Sequence, residues 1–142
     1  QSVLPLPDEV GGLIGGATKD KDGLLEKELY TNRALGTQLS NNIWHKLGKL
    51  SGNYSAMRFV GVEVISGTII DIYVFKNNNN IRYSGNKSSK ISLKMNSSGE
   101  IYAKGPTGIS VSGWLYGDLS NPCIDEQVGT TEPSGLTDIP NI

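Results

Sequence analysis

A single histidine and a single cysteine occur among 142 residues, and that scarcity decides which chemistries are open to the chain. His45 could act as a general base if an aspartate elsewhere oriented it, because imidazole titrates near neutrality. It has no second histidine and no nearby cysteine with which to share a metal, and beside Trp44 the simpler expectation is a structural histidine at a sheet edge. Cys123 alone makes neither an intrachain disulfide nor a thiolate zinc site. Asp20, Asp22, Glu26 and Glu28 form an acidic set of the kind calcium favours. Lys19, Lys21 and Lys27 interrupt it, its spacing departs from the EF-hand loop, and helix capping accounts for the same residues. Gly11, Gly12, Gly15 and Gly16 lack the Gly-Lys-Ser/Thr ending of a phosphate loop. The expectation is a protein that is not an enzyme, with no catalytic residues, no metal and no cofactor.

Aromatic rings offer a different chemistry: flat faces for sugars or for a protein partner, with Asn and Ser supplying hydrogen bonds. Tyr54, Tyr73 and Tyr102 belong to this pool, and the best local groupings are Arg82 with Tyr83 and Trp114 with Tyr116. With Trp44 these four make the candidate ligand-binding set, although burial against a second sheet competes for the same rings. Thirteen Lys and Arg against fourteen Asp and Glu leave a net charge of -1. No overall field then draws nucleic acid, and a stacking platform for single strands lacks the positive charge it needs. No run of 18 apolar residues exists, so membrane insertion by an ordinary helix is not expected. Asn53, Asn86 and Asn96 head glycosylation triplets, which carry little information in so Asn- and Ser-rich a chain.

The elements that must position these groups follow from periodicity. Residues 1–18 carry too many prolines and glycines for a regular element, and read as an extended arm whose Leu13 and Ile14 need cover. Residues 19–42 predict a short helix, capped by Asp20 or Asp22 with Leu25 and Leu29 on one face, followed by a linker. From residue 43 the period falls to two. Ile70, Ile72 and Val74 share a face, Ile91, Leu93 and Met95 point inward between Lys90, Ser92 and Lys94, and the run from Asn77 to Asn80 forms a turn tip. About seven short strands with Gly, Asn, Ser and Pro turns predict an all-β antiparallel β-sandwich or jelly roll over 43–118. Residues 119–142 read as an extended tail, either disordered or laid across adjacent subunits by Ile124, Leu136 and Ile139. The assembly-interface set is thus Leu13, Ile14, Leu25, Leu29, Ile124, Leu136 and Ile139, in a homo-oligomer. The opening Gln1 suggests a cleaved or trimmed chain.

The stretch from Ala17 to Tyr30, Ala-Thr followed by polar residues, Gly23-Leu24 and a short helix, resembles a segment recurring in bacteriophage fibre proteins. Ile43-Trp44-His45-Lys46-Leu47-Gly48-Lys49-Leu50 also looks like the opening strand of a terminal fibre domain. The resemblance implies a virion structural and attachment module, commonly trimeric, that contacts other particle proteins and a glycan or other host receptor. It implies no catalytic residues. Two alternatives stand beside it: a secreted carbohydrate-binding module, and a bacterial surface adhesin or filament subunit, both extracellular or at the cell surface.

Overall fold

Apolar residues alternate with polar ones along most of the chain, and turn-forming residues mark where each run must reverse. The computed structural model describes residues 34–118 and 120–142. Over these the chain forms β1 (Ala34–Leu39), β2 (Trp44–Lys49), β3 (Tyr54–Glu63), β4 (Ile69–Asn77) and β5 (Asn80–Asn86). It continues with β6 (Ser92–Met95), β7 (Glu100–Lys104), β8 (Val111–Tyr116), β9 (Cys123–Gly129) and β10 (Thr137–Asp138). Two five-stranded sheets result, ordered β1-β8-β3-β4-β5 and β10-β6-β7-β2-β9. Every strand ladder is antiparallel. The fold is the expected β-sandwich. The helix expected within 19–42, the arm over 1–18, and Leu13, Ile14, Leu25 and Leu29 lie outside the described residues.

Side-chain alternation places the core between the sheets. Ile70, Ile72 and Val74 of β4 face inward together, as do Ile91 and Leu93, with Met95 partly buried beside them, and Ile101 and Ala103 of β7. Phe59, Leu115 and Leu39 complete the layer. Each such side chain contributes about 2 kcal/mol relative to exposure. The β4–β5 hairpin closes with Asn77 opposite Asn80, and Asn78 takes a φ of 55°, a left-handed conformation that asparagine tolerates better than most residues.

The sandwich is wider than the 43–118 expected of it. β1 lies before that range, and β9 and β10 lie in the segment expected to be a tail. β9 pairs with β2 at one edge of the second sheet, while β10 pairs with β6 at the other. Residues 130–136 therefore cross the sheet. They do so on its outer face, because Lys94, outward between the inward Leu93 and Met95, meets Glu132 at 3.2 Å and Asp138 at 3.7 Å. Trp44 and Tyr102 stand on that same face, and both are buried. Beyond the crossing the backbone of Ile139 donates to Leu93 O at 3.2 Å, and Tyr83 of β5 receives the chain end through Tyr83 N to Pro140 O at 2.9 Å and Ile142 N to Tyr83 O at 3.0 Å. The C-terminal segment thus joins the two sheets of its own sandwich.

Candidate functional site

At the opposite side of the sandwich, β1 of the first sheet runs beside β9 of the second. The two are joined by side chains. The His45 imidazole, fully buried on β2, donates from Nδ1 to Asp125 Oδ1 at 2.6 Å. Its Nε2 accepts the Ser40 backbone N–H at 3.1 Å, which fixes the Nδ1–H tautomer. The Thr37 hydroxyl donates to Asp125 Oδ2. Burial pushes the Asp125 carboxyl upward, but the hydrogen bonds from His45, Thr37 and the Gln38 backbone outweigh it and hold the group below its ordinary value. The His45–Asp125 pair has the orientation a general base would need, yet Nε2 is occupied by Ser40 and no imidazole atom reaches solvent. His45 and Asp125 both stand on the second sheet, and Thr37 of β1 and the Ser40 backbone after it bond to them, so the group as a whole is a clasp between sheets.

The clasp forms one wall of an open groove of about 770 Å³, which Gly36, Gln38, Val62, Ser112, Trp114 and Gln127 also line. Gly36 and Trp114 face each other across the β1–β8 ladder. A β-carbon at residue 36 would sit 3.5 Å from Trp114 Cζ3 and 3.6 Å from Cη2, so the six-membered ring lies against the bare Gly36 backbone. More than half of the Trp114 surface, 54%, remains open to solvent. The groove thus brings one exposed indole together with two amides, a serine hydroxyl and one carboxylate.

From the groove the outer face of the first sheet continues across β3 and β4. Arg58 opposes both Tyr116 and Tyr73. Its guanidinium grips Asp71 through two bonds, Nε to Oδ1 at 3.0 Å and Nη2 to Oδ2 at 2.9 Å, and lies 4.6 Å from the Tyr73 ring centroid. The hydrogen bond from Arg58 holds the Asp71 carboxyl below its usual value. Charge is therefore internally matched here, and the aromatic rings are what the face presents. At the corner adjoining the groove, Val62, which also lines it, is exposed together with Val64, Ile65 and Ile69.

Of the ligand-binding candidates named from the sequence, Trp114 and Tyr116 share this face. Arg82 stands on the same sheet but on β5, three strand spacings from β8, or about 14 Å. Tyr83 is half-buried, with its backbone engaged by the chain end and the Lys87 ammonium 5.8 Å from its ring centroid. Trp44, 2% exposed, does not present its ring: the C-terminal crossing lies over the face on which it stands. Among the assembly candidates Ile139 is buried in its own chain's core, Leu136 is half-buried and Ile124 is 38% exposed. Ile139 was expected between subunits; within the single chain it belongs to the core cluster, with its backbone bonded to Leu93 of β6. Cys123 is also buried, and desolvation pushes its thiol up to about 11, which leaves it unreactive. The sequence reading missed Gly36, Gln38, Asp125 and Gln127, whose only signal was small and polar residues in short edge strands.

Fold and groove together define an antiparallel β-sandwich with an aromatic, amide-lined groove along one edge. No family model, curated protein or solved structure matches the chain.

Proposed function

We propose that this domain is an attachment module of a virion fibre or a related extracellular surface assembly, acting by binding rather than by catalysis. The observation that carries the reading is the open groove that Trp114 lines, where a solvent-facing ring is combined with the Gln38 and Gln127 amides, the Ser112 hydroxyl and an Asp125 carboxylate fixed by His45 and Thr37. A carboxylate held below its ordinary value accepts hydrogen bonds and is a poor proton donor near neutrality. The resemblance of residues 17–30 and 43–50 to fibre proteins supports the virion setting. The C-terminal segment, folded onto its own sandwich, lends no support to subunit exchange through that end. Assembly into a trimer or other closed oligomer instead draws on the exposed Val62, Val64, Ile65 and Ile69 corner.

Flow cytometry with the fluorescently labelled full chain on a panel of bacterial cells tests the attachment reading. Saturable adherence to a subset of strains, reduced by Trp114→Ala, is the expected result. Absence of saturable adherence to every surface tried would overturn it. Light scattering at micromolar concentration bears on the setting: a closed oligomer fits a fibre, and a stable monomer removes the fibre from the proposal.

A further inference from the structure

The lining of the groove specifies a ligand more narrowly than attachment alone. Its charge is carried by Asp125, the one ionisable side chain among the described lining residues. A single buried-edge carboxylate with no cation among the described lining residues disfavours phosphate, sialate and uronate groups. Gln38 and Gln127 each offer both donors and an acceptor, and Ser112 offers a hydroxyl that does either, which is the pattern that complements groups that themselves donate and accept.

Asp125 adds a fixed acceptor. A carboxylate has about four lone-pair sites. His45 bonds one of its oxygens and Thr37 the other, and the side chain, which lines the groove, keeps 19% of its surface exposed, so it retains accepting capacity there. Its direction is set by the clasp before any ligand arrives, and such preorganisation lowers the ordering cost of binding. Around the β1 edge, on the outer face of the first sheet, the Trp114 ring, backed by Gly36, offers one broad face of C–H-complementary π surface to the same groove. A volume of about 770 Å³ falls within the range of small-ligand sites.

We infer that the groove along β1 binds a neutral oligosaccharide, with Trp114 stacking against a sugar ring and Gln38, Gln127 and Asp125 hydrogen-bonding its hydroxyls. This rests on the attachment reading and gives it a ligand class. A protein partner would draw its apolar contacts from Val64, Ile65 and Ile69, which lie beyond Val62 and do not line the groove.

The test is the full chain applied to immobilised neutral, sialylated, uronate-containing and phosphorylated glycans, followed by calorimetry with the best free oligosaccharide. Binding to neutral glycans is expected, about tenfold weaker in Trp114→Ala and largely retained in Trp114→Phe, as the loss of one stacked ring implies. Gln127→Leu should weaken binding several-fold, which a stacking-only site would not show. Both positions are exposed, so matched thermal unfolding of the variants establishes that the fold is intact. Binding confined to anionic glycans, or unchanged in both Trp114→Ala and Gln127→Leu, would overturn the inference. Cell adherence that survives periodate oxidation of the cell surface and survives Trp114→Ala would also overturn it, while leaving attachment through another surface standing. Neutral-glycan binding on the array without adherence to any cell would support the groove and remove the attachment reading.

Discussion

Asp125 and His45 show how a polar pair can be buried without being reactive. Each imidazole nitrogen and each carboxylate oxygen has a partner, and removing one group strands the others. His45→Ala leaves Asp125 Oδ1 and the Ser40 N–H unpaired beside a new cavity, and should cost about 2–4 kcal/mol, read as a lower urea midpoint at unchanged slope. The pair also sets an acid limit. Because the folded-state pKa of Asp125 lies below its ordinary 3.8, the unfolded chain binds more protons over that interval. This contribution is complete above about pH 5 and is lost as pH falls through the folded-state value. Asp71 and Glu100 are shifted the same way by Arg58 and Lys46, but in half-buried surface pairs open to solvent, where screening leaves little of the effect. Asp125→Asn should therefore flatten the acid limb of a stability–pH curve more than Asp71→Asn does, as followed by urea titrations between pH 2 and 7.

At the level of single strands, glycines decide how closely neighbours approach. Gly61 and Gly113 are paired across β3 and β8, with the Phe59 ring filling the space beside Gly61. A β-carbon at residue 113 would fall 2.0 Å from Val60 O, a contact that only movement of the backbone relieves. Gly113→Ala should cost about 1–3 kcal/mol as the strands separate, whereas Gly36→Ala meets only Trp114 at ordinary contact distance and should leave the melting temperature nearly unchanged. Calorimetric unfolding of the two variants separates these cases. The strands with inward aliphatics, β3, β4, β6 and β7, were legible in the sequence because hydrophobic alternation alone announces them. β9 was not. Its outward positions hold Ile124 and Val128, while the inward ones include Asp125 beside Cys123, and the partner of Asp125 lies 80 positions away. Periodicity has no means of recognising a carboxylate that is satisfied by a distant histidine. The groove was half legible for the same reason: Trp114 stood out as a ring, whereas Gln38, Asp125 and Gln127 acquire meaning only when β1 and β9 are side by side.

Over the whole molecule, two closures hold the sandwich shut, the clasp on one side and the C-terminal crossing on the other. Ile139→Ala should lower stability by about 2–4 kcal/mol, because the side chain is buried between elements of both sheets. Its signature would be faster hydrogen exchange at the Tyr83 and Ile142 amides, which the chain end protects, ahead of exchange in the β3–β4 ladder. The prolines and isolated apolar residues of 119–142 read as a tail because no run in that segment is long enough to announce a strand, and the partners of β9 and β10 are remote in sequence. The clasp has a consequence in time as well as in energy. It ties Thr37 and His45 to a residue 88 and 80 positions onward, whereas the β4–β5 and β6–β7 hairpins close within a few residues. Contacts that close such long loops form after the local ones, once most of the chain is already ordered. An interaction made late leaves the folding rate nearly untouched and acts on the rate of unfolding, so the clasp governs how long a folded molecule lasts rather than how quickly it is made.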